Sequence, residues 1–274
     1  MDVTVGLDIG GSTTKVVGFQ DKKLLDMTFV KSSDPLAAAY GGLGKFMNIN
    51  HLSLADIAQI KMTGVGSSYI TQNFLGCETV LANEFEAVGL GGLHLSKIDE
   101  AIVVSVGTGT SMVYSDQEHT EHIIGSGVGG GTVLGLSNKI LNIRDFDLIS
   151  DLADKGSLSN VDLLVSDISQ AVPGLSSEAT ASNFGNVSDS AKQEDLACGI
   201  INMVFQSIGT MAVLSAKLNN TKNIVFSGSV MDIRQAQKSL HQFSELYDVN
   251  IIFPEQAKFS TAIGAALSNK YTSL

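Results

Sequence analysis

Two apolar, β-branched runs, Val3-Thr4-Val5-Gly6-Leu7 and Thr13-Thr14-Lys15-Val16-Val17, flank a turn of glycines and hydroxyls, so the chain opens as a β-hairpin. Asp21-Lys22-Lys23 marks a second turn, after which residues 23–31 read as a third strand. Helical spacing over residues 36–47 follows Ser33-Asp34-Pro35, where Asp34 or Ser33 supplies the cap. The pattern then predicts a strand at 59–63, a helix at 65–74, an extended stretch at 79–81 and a helix at 84–95. A strong strand at 101–106 enters Gly107-Thr108-Gly109-Thr110-Ser111 and leaves through Met112-Val113-Tyr114. Aligning Gly10 with Gly109 places Ser12 on Ser111, which hints at an internal duplication.

Beyond Gly125 the spacing of Val133, Leu134 and Leu136 is helical, several helices occupy residues 146–171, and a long one spans 195–218. Strands at 223–226 and 250–253 and a helix at 260–269 close the chain. Strands grouped early, in the middle and late predict an α/β protein with two sheet-containing lobes. No charge interrupts residues 196–216, a length that can span a bilayer at roughly 20 apolar residues. Asn202, Gln206, Ser207 and Thr210 lie within it and no second span accompanies it, so it is read as core or subunit interface.

Composition narrows the function. With 44% hydrophobic and 16% charged residues in 274, the chain is globular, and its net charge of −11 repels nucleic acid and anionic membranes. Arg144 and Arg234 are the only arginines, so phosphate must be held by backbone N–H groups, lysine or metal. Cys77 and Cys198 have no metal-ligand spacing. With reduced thiols and an N-terminus unlike a signal peptide, a cytoplasmic location is expected. Twenty-eight glycines exceed the usual share of roughly 7%.

Those glycines concentrate in chemistry-bearing turns. Asp8 to Ser12, Gly107 to Ser111 and Ser227 to Ser229 each follow a strand and can present N–H groups to a phosphate. One alone is an ordinary tight turn; three together point to a nucleotide. Gly125, Gly127 and Gly130 fit GxGxxG without the βαβ setting of a dinucleotide site, and Gly44-Lys45 lacks the remainder of a Walker A loop. Asp8, ending an apolar strand, is a turn former or a ligand to Mg2+-bound water. Lys15 is a solvated strand lysine or a phosphate contact. Glu84 and Glu86 both suit a helix start; the sharper reading makes one of them the base for a hydroxyl that accepts phosphate. Of His51, His94, His119, His122 and His241, only His122 is a candidate site residue.

Asp8-Ile9-Gly10-Gly11-Ser12-Thr13-Thr14-Lys15 resembles the first phosphate loop of the actin, sugar-kinase and Hsp70 superfamily. Asn83-Glu84-Phe85-Glu86-Ala87, Val106 to Ser111, Gly125 to Leu136, Ala181-Ser182-Asn183-Phe184-Gly185 and Phe226-Ser227-Gly228-Ser229 narrow the likeness to type II pantothenate kinases, over essentially the whole chain. The resemblance implies two actin-like, ribonuclease H-like lobes, residues 1–98 plus 258–274 and residues 99–257, with ATP in the cleft between them. It implies ATP- and Mg2+-dependent phosphorylation of pantothenate to 4'-phosphopantothenate, the first step of coenzyme A synthesis, by a homodimer. Whether pantetheine is also accepted stays open.

Carried over by motif, Glu84 matches the catalytic base. Asp8, Ile9, Gly10, Gly11, Ser12, Thr13, Thr14 and Lys15 match the nucleotide loop, with Asp8 reaching Mg2+ through water. Thr108 and Ser111 match hydroxyls that contact substrate or phosphate, and Gly130, Gly131, Thr132, Val133 and Leu134 match part of the nucleotide site. Phe146 matches an aromatic flanking the adenine and Ser229 the adenosine-side loop. His122 stands where the family usually has an arginine, without that residue's permanent charge or fork. Two other readings remain at this point: an amino-sugar kinase of the same superfamily, or a low-turnover nucleotide-binding regulator. Activators of radical dehydratases share the first loop but need cluster-binding cysteines that two isolated ones do not supply.

Overall fold

The computed structural model describes residues 2–31, 33–170 and 176–273. Strands β1 (Val3–Ile9), β2 (Thr13–Gln20) and β3 (Lys23–Lys31) form the expected meander. Helix α1 (Pro35–Ile49) follows, with the Asp34 side chain accepting the Ala37 N–H at 3.0 Å. Then come β4 (Ile57–Thr63), β5 (Thr79–Ala82) and α2 (Glu84–Ser96). A second meander, β6 (Ala101–Val106), β7 (Thr110–Ser115) and β8 (Thr120–Ser126), precedes α3 (Gly130–Leu141) and α4 (Phe146–Ala153). A small excursion contains β9 (Leu163–Leu164), α5 (Val165–Ile168) and β10 (Thr180–Ser182). The chain then runs through α6 (Gln193–Leu218), β11 (Asn223–Ser227), α7 (Arg234–Tyr247), β12 (Asn250–Ile252), α8 (Ser260–Leu267) and β13 (Tyr271–Ser273).

The larger sheet is ordered β13-β5-β4-β1-β2-β3 and the second β12-β11-β6-β7-β8. In each, a central strand pairs antiparallel with a hairpin partner on one side and parallel with a later strand on the other. The two hairpins β1-turn-β2 and β6-turn-β7 occupy equivalent places, but the alignment of Gly10 with Gly109 is off by two: Gly10 follows β1 as Gly107 follows β6, and Ser111 lies inside β7 while Ser12 lies in the turn.

Four helical layers cover the sheets. The core of α1 residues Ala39, Leu43 and Phe46 with Val3, Val5, Leu7 and Ile9 lies on one face of the first sheet. Helix α8 covers its other face through Ala262, Ile263 and Ala266. The second sheet is covered by α3, α4, α6 and α7 on one side and by α2 on the other, where Val88 and Leu93 meet Val103 and Val113. Helices α2 and α8 thus lie back to back between the sheets. Their contact is made backbone to backbone. A Cβ on Gly91 would overlap the Ser260 carbonyl oxygen, and one on Gly264 would overlap that of Ala87.

Several expectations need correction. Residues 65–74 form no α-helix but two short 3-10 turns, Val65–Tyr69 and Phe74–Gly76, because glycine, serine and threonine are weak helix formers and Leu75 takes φ 54°. Strand β8 and helix α7 were not predicted. The first is polar at Thr120-Glu121-His122, and the second buries a narrow stripe, Ala236, Leu240 and Phe243, in a polar sequence. Residues 146–171 hold α4, a turn, β9 and α5 rather than a run of helices; Ala171 lies outside the described residues. Helix α6 is long and apolar enough to cross a membrane, yet 67% of that window is buried inside the fold, so it serves as a core helix.

Gly264→Ala is expected to lower stability in urea unfolding by about 3 kcal/mol, since backbone cannot yield as a flexible side chain can. Gly41→Ala, on α1 with nothing within 4 Å of its added Cβ, is expected to raise it by up to about 1 kcal/mol. A tolerated Gly264→Ala would refute the close crossing of α2 and α8.

Candidate active site

At the end of β1, Asp8 lies opposite Lys15 of β2, and Lys15 Nζ meets Asp8 Oδ2 at 3.1 Å. The Gly10 N–H donates to the Thr13 carbonyl at 3.0 Å and tightens the turn between them. Gly11 and Ser12 form its exposed tip. Their N–H groups find no partner among the described residues, which leaves them for a ligand. Ile9 and Thr14 contribute backbone only: Ile9 is fully buried in the first core, and Thr14 lies beneath α1, its Cγ2 beside Gly42.

Asn83 caps α2, its side-chain oxygen accepting the Glu86 N–H at 3.1 Å, and Glu84 is the first helical residue. The residue keeps surface open to solvent, as a group that meets substrate must, but its carboxyl is crowded by surrounding atoms. That desolvation raises its pKa above the ordinary carboxylate value, and the neighbouring Asp8 charge raises it further. Glu86 acts elsewhere. Its charge bears on Lys61, a buried lysine of β4 that donates to the Ser268 carbonyl at 2.6 Å and whose pKa burial lowers against that influence. The two acids thus face different charges, Asp8 beside Glu84 and Lys61 beside Glu86.

On the second sheet the Gly107 N–H donates to the Gly109 carbonyl at 2.8 Å, and the Thr110 hydroxyl donates to the Val128 carbonyl at 2.7 Å. The first N–H groups of α3 are engaged as well: Gly130 donates to the Gly107 carbonyl at 2.8 Å and Gly131 to that of Thr108 at 2.9 Å. The start of α3 is therefore laid on the Gly107 turn, with the Gly130 and Gly131 N–H groups committed to that turn's carbonyls. Thr132 braces this corner, accepting the Gly129 N–H at 3.1 Å. Val133 is buried in the second core and Leu134 packs against it, so neither side chain faces the turn as a polar contact would. Ser111 is half-buried on β7 opposite Gly125.

The third turn joins this corner. Gly228 has φ +108° and presses on the end of β6, where any side chain would overlap the Val106 carbonyl, and Ser229 beyond it is exposed. Phe146 opens α4 and is partly packed against the second core. The two corners meet at the start of α2: Phe85 stacks on His122 of β8 with ring centroids 4.0 Å apart and planes 22° from parallel. The start of α2 thereby links the Asp8, Lys15 and Glu84 group to the His122 strand.

One residue escaped notice in the sequence. Thr63, paired with Asp8 across β4 and β1, is 2% exposed, and its hydroxyl has no hydrogen-bond partner. A buried unpaired hydroxyl costs about 1–3 kcal/mol, so it marks a place for a further polar group. No three His, Cys, Asp or Glu side chains converge among the described residues. With the Asp8 carboxylate at the strand end and few other protein ligands, this corner fits a hard cation held mainly by phosphate oxygens and water.

Two duplicated sheets facing each other across glycine turns, with an acid at the end of the first strand, define the actin-like class of two-lobed proteins. Solved structures agree in fold. Component A of (R)-2-hydroxyglutaryl-CoA dehydratase from Acidaminococcus fermentans superposes with TM-score 0.69 at 18% identity, covering 97% of each chain. The activator of 2-hydroxyisocaproyl-CoA dehydratase from Clostridium difficile, solved with bound ADPNP, gives 0.69 at 18% identity over 97% of this chain and 93% of that one. A ROK family protein from Streptococcus pneumoniae TIGR4 gives 0.57 at 15% identity, covering 97% and 96%.

Sequence comparison is more specific. The family model described as Fumble matches residues 96–268. Type II pantothenate kinase of Bacillus cereus (strain G9842) is 30% identical over 97% of this chain and 98% of its own length. That of Staphylococcus haemolyticus (strain JCSC1435) is 30% identical over 97% and 99%. The chain belongs to the type II pantothenate kinase family.

If Asp8 and Glu84 share this corner, Asp8→Asn should move the Glu84 pKa downward, by less than the whole displacement because desolvation is the larger cause. Carbon-13 NMR titration of the carboxyls reads this directly. An unmoved Glu84 would separate the two groups.

Proposed function

We propose that the chain phosphorylates pantothenate at its primary hydroxyl with ATP, yielding 4'-phosphopantothenate for coenzyme A synthesis, and that Glu84 is the general base. The single observation that carries the assignment of the base is the placing of an accessible carboxyl, Glu84, at the start of α2 beside Asp8. A base is most effective when its pKa approaches the working pH, and burial moves Glu84 in that direction.

In this reading ATP lies between residues 1–98 plus 258–274 and residues 99–257. The Asp8 to Lys15 turn and the Gly107 to Ser111 turn receive the phosphates, with Lys15 exchanging Asp8 for a phosphate oxygen. The α3 start from Gly130 to Leu134 supports the second turn, and Phe146 and Ser229 flank the adenosine. Magnesium, held by Asp8 through water and by the phosphates, neutralises charge that develops on the transferred group. Glu84 accepts the hydroxyl proton. Thr108, Ser111 and His122 position the acceptor, with the His122 ring stacked on Phe85. Closure of the lobes excludes water and limits idle ATP hydrolysis.

The reading includes a cytoplasmic homodimer. Leu214 and Leu218, 62% and 73% exposed on the outer side of α6, support it, because apolar side chains grouped on a core helix favour coverage by a second subunit.

The test is ADP release with Mg-ATP across pantothenate, pantetheine, N-acetylglucosamine and glucose. Pantothenate is expected to stimulate release, and Glu84→Gln to reduce it by about 100-fold or more while ATP binding persists. The variant should remain folded. A carboxyl whose folded pKa is raised weakens the native state as pH climbs through that interval, so removing its charge costs no stability at neutral pH. Preference for a sugar would favour the amino-sugar kinase reading, and ATP binding without acceptor-stimulated release would favour the regulator.

A further inference from the structure

Three parallel facts meet at Thr63. Strands β2, β1 and β4 are neighbours, with Lys15 opposite Asp8 and Asp8 opposite Thr63, so the three side chains share one face of the sheet in that order. Lys15 Nζ occupies Asp8 Oδ2 at 3.1 Å, while the Thr63 hydroxyl, on the other side of the same carboxylate, is buried and bonds to nothing. The following residue, Gly64, takes φ +86° and brings its backbone so close that a Cβ there would stand 2.7 Å from Asp8 Oδ1. The carboxylate is thus confined on the β4 side. Thr14, Ser137 and Ser260 also bury an unpartnered hydroxyl, but of the four only Thr63 is in register with Asp8, so its hydroxyl is the one placed to serve that carboxylate.

This inference rests on the nucleotide reading of Asp8 given above. We propose that Thr63 is a positioning residue for Asp8: when a phosphate draws Lys15 away, the Thr63 hydroxyl turns to donate to the Asp8 carboxylate and holds it toward the water shell of the magnesium nucleotide. Asp8 then keeps one donor in each state, Lys15 before binding and Thr63 after. The device needs departure of one lysine and a local side-chain adjustment that brings the Asp8 carboxylate and the Thr63 hydroxyl into bonding distance.

The experiment compares Thr63→Val, which removes the hydroxyl at nearly constant volume, with Thr63→Ser, which keeps it. Thermal midpoints are read without nucleotide, with ATP alone and with ATP plus Mg2+, and turnover is followed as a function of Mg2+ concentration. Thr63→Val is expected to be at least as stable as wild type without nucleotide and to respond equally to ATP alone. It should lose most of the added stabilisation by Mg2+ and need about ten-fold more Mg2+ for half-maximal turnover, with kcat changed less than two-fold. Thr63→Ser should follow wild type. Equal Mg2+ responses in Thr63→Val and wild type would overturn the proposal, as would a nucleotide-free Thr63→Val chain less stable than wild type, which would mean that the hydroxyl was already bonded. Asp8→Asn separates the two levels. If it retains the wild-type Mg2+ response, the Asp8 reading itself fails; if it loses that response while Thr63→Val does not, only the role of Thr63 fails.

Discussion

The site depends on how closely α2 and α8 approach each other between the two sheets. Gly91 and Gly264 remove the side chains that would hold the helices apart, so backbone meets backbone at Ser260 and at Ala87. Because α8 rests on β1 and β4 while α2 rests on β6, β7 and β8, their separation sets the distance between the two sheets. It also sets where α2 begins. Glu84, the first residue of that helix, consequently stands near the end of β1, and the mutual charge of Glu84 and Asp8 follows from packing about one to two helical turns away. Evenly close-packed interiors transmit such constraints rather than absorbing them.

The chain must bring an anionic phosphate donor to an acidic protein that has two arginines. Its means are local. Turn N–H groups at Gly11 and Ser12, one lysine already pointed at Asp8, and the carboxylate that would engage a cation form a compact set at one strand end. The opposite corner offers shape more than charge, because the N–H groups of Gly130 and Gly131 are committed to the turn they rest upon. His122 then bridges the corners through Phe85, a stacking contact that fixes a ring plane without requiring a permanent charge.

Much of this was legible in the sequence because it was written in local signals. The β-branched runs around Gly10 and Gly109 gave both hairpins, though not the residue-by-residue match of their turns, and Asp34 before Pro35 gave the start of α1. What escaped lacked a local signal. β8 is polar where it carries His122, α7 shows a thin apolar stripe, and the glycines and hydroxyls of residues 65–74 deny the helix that their apolar neighbours suggested. Glu84 and Glu86 were equivalent as helix-start acids until Asp8 and Lys61 were placed beside them. Thr63 was invisible for the same reason: its meaning lies in its register with Asp8, 55 positions earlier in the chain.

The pH dependence of kcat/KM for pantothenate at saturating Mg-ATP tests the central claim most directly, since it reports the base in the form of the enzyme that meets the acceptor. The account predicts an acid limb that rises through a pKa above the ordinary carboxylate value, shifts downward in Asp8→Asn, and disappears in Glu84→Gln along with most of the rate. An acid limb that persists unchanged in Glu84→Gln would contradict it, and would assign the proton to another group.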